Sequence, residues 1–171
     1  MNQKPLVAVL MGSDSDLPVM ESAVEALERF AVPFELRVMS AHRTPEAVRE
    51  FATGAAGRGL KVIIAGAGGA AHLAGVVASM TMLPVIGAPM PTDRAGGLDS
   101  LLSTVQMPGG VAVATMGIGK SGARNAALLA VQILALADRA LADSLASYKS
   151  EMAGKVAEAD ARVAKWLAER G

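Results

Sequence analysis

Residues 6–16, Leu-Val-Ala-Val-Leu-Met-Gly-Ser-Asp-Ser-Asp, decide the fold of this chain. Six consecutive apolar residues run into a glycine and a set of short polar residues. An uninterrupted apolar run of this length is typical of a strand buried on both faces of a parallel sheet, and the polar residues mark its end. Apolar residues then recur at a spacing of three or four, which predicts an amphipathic helix: Met20, Val24, Leu27 and Ala31.

The same alternation continues along the chain. Short apolar runs predict four further strands at residues 34–38, 62–65, 84–86 and 111–114, of which the first is a mixed run. Helical patterns begin at Pro45, where Thr44 can cap the helix and Gly57 and Gly59 would end it, and recur at residues 70–80, 97–105 and 121–138. Strands alternating with helices predict an α/β fold, a three-layer sandwich around a parallel sheet of about five strands.

The last part of the chain follows a different pattern. No strand is predicted after residue 138, and apolar residues spaced by three or four continue to Trp166 with charges between them. We therefore predict an α/β domain over residues 1–138 and a long C-terminal helix over residues 139–171. A small domain offers this helix little surface to cover its apolar stripe, so we expect the helix to pack on a neighbouring subunit.

Composition excludes several classes of protein. The 171 residues carry 16 Lys plus Arg and 16 Asp plus Glu, and only 3% are aromatic, so there is no basic surface or stacking platform for nucleic acid. The absence of Cys excludes disulfides, thiolate metal sites and a cysteine nucleophile. Without a long apolar stretch or a signal-peptide core, we expect a cytoplasmic protein with no membrane contact.

Polar and glycine-rich segments follow four of the predicted strands, at residues 12–16, 40–45, 66–72 and 117–122. Any one of them could be a helix cap or a tight turn. Ligands bind at the carboxyl ends of strands in open α/β sheets, so four such loops on one edge favour a ligand site.

Four side chains in these loops are candidates for binding a ligand or moving a proton. Arg43 presents a planar set of donors suited to phosphate, and the adjacent His42 carries an imidazole, which can give or take a proton. His72 is either a hydrogen-bonded residue at a helix start or a second site residue. Asp16 is either a helix N-cap or a carboxylate that binds vicinal hydroxyls, and it could do both.

Five segments in order carry a family resemblance. They resemble the catalytic subunit of phosphoribosylaminoimidazole carboxylase, and the match spans about residues 5–138: residues 12–16, 40–45, 65–73, 98–108 and 125–130. The resemblance implies a flavodoxin-like homo-octamer with active sites where subunits meet. For the bacterial form it implies a mutase of purine biosynthesis that needs no metal, cofactor or ATP and moves a carboxylate from the exocyclic nitrogen of its ribonucleotide substrate to the adjacent imidazole carbon.

The resemblance also implies roles for individual residues. Asp16 would bind the ribose hydroxyls, and Arg43 with Ser40 would bind the phosphate. His42 would be the acid/base, with His72 beside the substrate. The migrating carboxylate would be held by a hydroxyl and two backbone amides, those of Ser13, Gly68 and Gly69. An ATP-dependent carboxyaminoimidazole ribonucleotide synthetase is the implied metabolic partner.

The chain departs from the family pattern at four positions, which bear on local loop order: Ala74, Val76, Ala95 and Ala112. Two other functions stay open at this point. One is a carboxylase of the same family that adds CO2 directly to aminoimidazole ribonucleotide. The other is a flavodoxin-like nucleotide or FMN module without catalysis. FMN modules favour aromatic residues around the flavin ring, whereas the aromatic residues of this chain lie outside the four loops. A scaffold that only oligomerises would leave His42 and Arg43 unexplained.

Overall fold

A central sheet of five parallel strands organises the protein, whose computed structural model describes residues 4–170. The strand order is β2-β1-β3-β4-β5. The strands are β1 Val7–Met11, β2 Phe34–Val38, β3 Val62–Ala67, β4 Val85–Pro89 and β5 Ala114–Thr115. The predicted α/β class and parallel sheet are confirmed.

Six α-helices follow or connect these strands in the described part of the chain. They are α1 Leu17–Arg29, α2 Pro45–Gly54, α3 Leu73–Ala78, α4 Leu98–Val105, α5 Gly119–Ala135 and α6 Arg139–Ala168. The chain moves outward from β1 to β2 and then returns to place β3 on the other side of β1. This reversal is the topological switch point of a flavodoxin-like sheet, where ligands bind.

Burial explains why the apolar runs differ in character. Every residue of β1, β3 and β4 is buried. Val9 of β1 lies between Leu36 of β2 and Ile64 of β3 in the register of the sheet. The mixed run at residues 34–38 forms the edge strand β2, where Leu36 and Val38 are exposed. An edge strand is covered less completely, so it tolerates polar residues.

Several predicted boundaries were wrong. The fifth strand is two residues long and starts at Ala114, because only Ala114 and Thr115 pair with β4. Helix α3 starts at Leu73 rather than residue 70, since Gly69 has a positive φ of 65° and residues 69–72 form tight turns. Helix α2 ends at Gly54, and α5 runs from Gly119 to Ala135 rather than over residues 121–138.

The chain divides into two compact units, Met1–Ile133 and Leu134–Gly171. The second consists mainly of α6, a helix of 30 residues. The carboxylate of Asp138 caps α6 by accepting the Leu141 N–H at 3.1 Å. Residues 1–3 and 171 of the predicted domain ranges lie outside the described residues. Over residues 4–170, no helix has the length and apolar character needed to cross a membrane.

Candidate active site

A cleft of about 380 Å³ opens at the carboxyl ends of β1, β2 and β3, beside the switch point. Three of the four predicted ligand loops supply its lining. Six of the predicted site residues line it: Ser13, Asp16, Ser40, His42, Arg43 and Gly68. The loop at residues 117–122 contributes none of the lining residues, so its predicted place in the site is not supported by the cleft.

The loop after β1 forms a single 3-10 turn that holds its carboxylate toward the cleft. The Ser13 N–H donates to Oδ2 of Asp16 at 3.2 Å, while the Ser13 hydroxyl oxygen accepts the Ser15 N–H at 3.3 Å. Asp16 occupies the N-cap position of α1 but makes no side-chain cap bond to that helix. The carboxylate instead turns back onto its own loop.

Burial raises the pKa of the Asp16 carboxyl above its ordinary value. Desolvation is the largest cause, because the charged form loses water as the group is covered. Hydrogen bonds from the backbone of Ser13 and Gly12, together with the Arg43 charge, lower the pKa and oppose the shift, while the nearby Asp14 charge adds to it. A half-buried carboxylate beside a guanidinium in a cleft is typical of a ligand site.

The loop after β2 is tied together by hydroxyl groups. The Ser40 Oγ accepts the backbone N–H groups of His42 at 3.3 Å and Arg43 at 3.2 Å. The Thr44 hydroxyl donates to the Ser40 carbonyl oxygen at 3.0 Å and accepts the Ser40 N–H at 2.9 Å. Thr44 stands at the N-cap of α2 but makes no side-chain cap bond there, so that part of the prediction was wrong. Its hydroxyl stabilises the loop that presents His42 and Arg43.

Arg43 joins the loops after β2 and β1. Its Nη2 donates to the Gly12 carbonyl oxygen at 2.8 Å. A guanidinium has five N–H donors in a planar arrangement, so this bond fixes the group while using one of them. The side chain is exposed in the cleft, where its remaining donor geometry suits an anion.

The two histidines of the chain lie against each other. Nε2 of His42 is 2.9 Å from Nδ1 of His72, and the rings meet edge to face with centroids 5.0 Å apart. One nitrogen must donate and the other accept, so the contact couples their tautomers. His72 stands at the N-cap of α3 without a side-chain cap bond. His72 does not itself line the cleft, so its role as a second site residue stays a prediction.

The glycine loop after β3 differs in one respect from the predicted carboxylate site. Gly68 lines the cleft, but the Gly69 N–H donates to the Ser100 Oγ at 2.9 Å. That amide is therefore already bonded in this conformation, which corrects the expectation that both amides face the carboxylate. Gly69 contributes a positive φ of 65°, which is strained for residues with a Cβ.

Sequence reasoning missed the residues that support the loops. Gly12 was predicted only as part of the loop at residues 12–16, with no role of its own, and its carbonyl oxygen anchors Arg43. Ser100 and Ser103 contact Gly69 through hydroxyl groups. Both serines lie in the segment 98–108 that carries part of the resemblance, and that segment was the available signal. In residues 4–170, no three His, Asp or Glu side chains are grouped to hold a metal ion.

The fold and this cleft define a doubly wound α/β protein with a polar cleft at its switch point, lined by an arginine, a carboxylate and one histidine of a contacting pair. The sequence profile of a known family, AIR carboxylase, matches residues 6–155. The chain belongs to the AIR carboxylase family, which confirms the resemblance and extends it past residue 138 into α6.

Individual relatives agree with this assignment. The chain is 58% identical to an N5-carboxyaminoimidazole ribonucleotide mutase of Mycobacterium tuberculosis over 94% of this chain and 91% of that protein. It is 55% identical to the protein of the same name from Pyrococcus horikoshii, over 92% and 88%. The solved structure of Treponema denticola PurE superimposes with a TM-score of 0.83 at 34% identity, covering 92% of this chain and 98% of that one.

Proposed function

We propose that this chain is an N5-carboxyaminoimidazole ribonucleotide mutase. It converts 5-carboxyamino-1-(5-phospho-D-ribosyl)imidazole to 5-amino-1-(5-phospho-D-ribosyl)imidazole-4-carboxylate in purine biosynthesis. The observation that carries the proposal is the histidine contact, His42 to His72 at 2.9 Å, in a cleft that also holds Arg43 and Asp16. Family membership and relatives of that name support it.

The nucleotide part of the substrate would bind through two charged side chains. Arg43, held by Gly12, would pair with the phosphate together with the Ser40 loop. The Asp16 carboxylate would accept hydrogen bonds from the ribose hydroxyls. Its existing bond from the Ser13 N–H uses one carboxylate oxygen and fixes the orientation of the other.

The transfer itself would need one group to give a proton and later take one. The bond between the exocyclic nitrogen and the carboxylate carbon breaks as His42, starting as imidazolium, gives a proton to that nitrogen. The ring carbon then forms its bond to CO2, and neutral His42 removes the proton from that tetrahedral carbon. His42 ends as imidazolium, so no net proton is consumed.

The electronic demands of this chemistry fit the side chains of the cleft. Aminoimidazole is an electron-rich enamine, so its ring carbon attacks CO2 without an electron sink. Imidazole suits the proton steps because both of its forms are accessible near neutral pH. The His72 contact would orient the His42 ring before the substrate arrives, with His42 Nε2–H donating to Nδ1 of His72. Ser13 and the Gly68 amide would hold the migrating carboxylate, while Gly69 shapes the loop.

Turnover without ATP tests the proposal. The purified protein should convert the N-carboxy substrate to the C-carboxylate in a buffer that holds neither nucleotide triphosphate nor added metal. The same protein given aminoimidazole ribonucleotide and bicarbonate at matched concentration serves as the comparison. Faster product formation from aminoimidazole ribonucleotide would favour the direct carboxylase instead.

A non-catalytic FMN module is the remaining rival. The described residues that line the cleft include no Phe, Tyr or Trp to enclose a flavin ring. The purified protein is therefore expected to be colourless. A yellow protein that turns over neither substrate would contradict the mutase.

We also place the mutase in a cytoplasmic homo-octamer, working next to an ATP-dependent carboxyaminoimidazole ribonucleotide synthetase that supplies its labile substrate. Exposed apolar side chains on α4 and α6 support a homo-oligomer, since a surface of this kind suits contact with another copy: Leu98, Leu102, Val105, Met152, Val156, Val163 and Trp166. Deleting residues 142–171 should lower both the sedimentation coefficient and the turnover. A truncated protein with unchanged size and full activity would show that α6 is not an assembly element.

A further inference from the structure

Helix α4 has an unusual distribution of polar and apolar side chains. Ser100 and Thr104 are 0% and 3% exposed, while Leu98, Leu102 and Val105 lie at the surface. Amphipathic helices usually bury their apolar side. A buried hydroxyl on such a helix needs a partner, so the inward hydroxyls of α4 indicate what this helix holds.

The partner of the Ser100 hydroxyl is the glycine loop of the cleft. Its Oγ accepts the Gly69 N–H at 2.9 Å. One turn later, the Ser103 hydroxyl lies 3.1 Å from the Gly69 carbonyl oxygen and 2.7 Å from the Asp99 carbonyl oxygen. The Ser103 hydroxyl has one proton, which is shared between these two acceptors. The bond to Ser100, in contrast, uses the Gly69 N–H as its donor. Ser100 is therefore the stronger of the two supports.

The Ser100 bond fixes the orientation of one peptide group at the cleft. The Gly69 N–H and the Gly68 carbonyl belong to the same planar trans peptide and point in opposite directions. With the N–H directed at α4, the carbonyl must point away from α4. Gly68 packs closely here, since a Cβ built on it would lie 3.2 Å from the Cβ of Met90, so a side chain would require a small shift of that neighbour.

Helix α4 is itself anchored at its first turn. The Asp99 carboxylate oxygen Oδ1 accepts the Ser100 N–H at 3.0 Å and the Thr92 hydroxyl at 2.8 Å. The Thr92 hydroxyl oxygen in turn accepts the Gly97 N–H at 3.2 Å. These bonds join the start of α4 to the segment after β4, so Ser100 has a rigid base from which to hold the loop.

The loop that Ser100 supports ends at the histidine pair. Two residues separate Gly69 from His72, and tight backbone bonds bridge this interval. They run from the Ala71 N–H to the Gly69 oxygen and from the His72 N–H to the Ala70 oxygen, both at 2.8 Å. His72 then contacts His42. A shift of Gly69 is thus transmitted over a short, bonded path to both the carboxylate position and the acid/base.

We infer that Ser100 is a positioning residue for the carboxylate transfer, with Ser103 as a weaker second support. Ser100 acts by holding the Gly68–Gly69 peptide so that the carbon dioxide released from nitrogen stays beside the ring carbon. This inference rests on the proposed function. Ser100 makes no hydrogen bond to Arg43 or Asp16, the residues proposed to bind the nucleotide, and none to His42.

The test is Ser100→Ala in the full-length protein. We expect kcat to fall by about 10- to 100-fold, because displacement of a reacting group by about 1 Å can cost that much. The KM should change less than about threefold, since Arg43 and Asp16 still bind the nucleotide. The product should also retain a smaller fraction of isotope from a labelled carbamate carboxylate in unlabelled bicarbonate, because CO2 escapes more often.

Two further variants separate positioning from general weakening of α4. Thr104→Val is isosteric and removes another buried hydroxyl of the same helix, which bonds the Ser100 carbonyl oxygen at 2.8 Å but does not contact Gly69. It should keep wild-type kcat and label retention. Ser103→Ala, which leaves the Ser100 bond intact, should shift both readouts in the same direction by a smaller amount and remains informative if Ser100→Ala fails to fold.

Hydrogen exchange of the Gly69 amide gives a readout that does not depend on activity. Ser100→Ala should accelerate this exchange, whereas Thr104→Val should not. An active Ser100→Ala protein with wild-type kcat, label retention and Gly69 exchange would overturn the positioning role and leave the mutase standing. A wild-type protein without turnover would overturn the mutase and this role together.

Discussion

The two compact units of the chain treat their apolar side chains in opposite ways. In the unit up to Ile133, the strands β1, β3 and β4 are buried at every position, and the cleft forms on the edge of that rigid sheet. In the unit from Leu134, α6 exposes most of its apolar stripe, including Val156 and Val163. The first unit holds the proposed chemistry on the edge of its buried sheet and exposes apolar side chains on α4, whereas the second unit leaves much of its single long helix exposed.

His42→Asn should have the largest effect and should be confined to the first unit. A positioned acid/base contributes about 10²- to 10⁴-fold, and His42 acts twice in the proposed cycle, so kcat should fall by the upper part of that range. Asn keeps much of the size and some hydrogen bonding. Steady-state kinetics, titration with the product and sedimentation should therefore show lost turnover with binding and assembly retained.

The competing result for this variant is clear. If His42→Asn kept more than about a tenth of wild-type kcat, far short of the expected loss, His42 would leave the mechanism and His72 would be the next candidate. A changed sedimentation coefficient for His42→Asn would show instead that a cleft residue affects assembly. The proposed division of roles between the two units would then be wrong.

A Val-to-Ala substitution in each unit compares a buried valine with an exposed one. Val62 of β3 is fully buried, whereas Val163 of α6 is 63% exposed. Val62→Ala should lower the free energy of unfolding by about 2 to 3 kcal/mol, from two lost methyl groups and the cavity they leave. Val163→Ala should change it by less than about 0.5 kcal/mol at dilutions where the protein is monomeric, since Ala favours the helix and little packing is lost.

At higher concentration, Val163→Ala should weaken self-association measured by sedimentation equilibrium, while Val62→Ala should not. Equal losses of monomer stability from the two substitutions would show that the α6 stripe is already buried within one chain. The distinction between the two units would then fail.

Asp16 gives the smallest expected effect, visible as pH dependence. Its raised pKa means that the folded state binds a proton at a higher pH than the unfolded state. Ionisation of this group therefore disfavours folding, and its contribution to stability falls as pH rises through the interval between the unfolded and folded pKa values. In Asp16→Asn this dependence should be absent, although Asn can still accept the Ser13 N–H.

Substrate affinity should depend on pH in the opposite direction. The ionised carboxylate is the acceptor for ribose hydroxyls, so KM should rise as pH falls through the raised pKa and Asp16 becomes protonated. Asp16→Asn should show a KM several-fold higher at neutral pH, and this KM should not rise further at acid pH (no acid limb in the KM profile). An identical acid limb in the variant would assign that titration to another group.

The sequence predicted those features that depend on local patterns. Continuous apolar runs identified the buried strands, and the polar residues after them identified Asp16, His42 and Arg43 before any geometry was known. Features that depend on distant contacts were not predictable in this way. The hydroxyl of Ser100 meets an amide 31 positions away, and a helical serine gives no signal of such a bond.

The errors at element boundaries have a similar origin. Thr44 was predicted to cap α2 from its position next to Pro45, yet its hydroxyl bonds Ser40 because the β2 loop folds back on itself. The fifth strand was predicted over residues 111–114, of which only Ala114 pairs with β4. A bond within the loop redirected Thr44, while the extent of pairing with a distant strand set the length of β5.

Following the carboxylate carbon tests the central claim most directly. The N-carboxy substrate carries an isotopic label in its carbamate carboxylate, and a short reaction at high enzyme concentration runs in unlabelled bicarbonate. The mutase predicts that the product keeps most of the label, because the cleft holds the same carbon throughout the transfer. A product that has lost the label, with a carboxylate as unlabelled as the bulk bicarbonate, would contradict the mutase and identify a direct carboxylase.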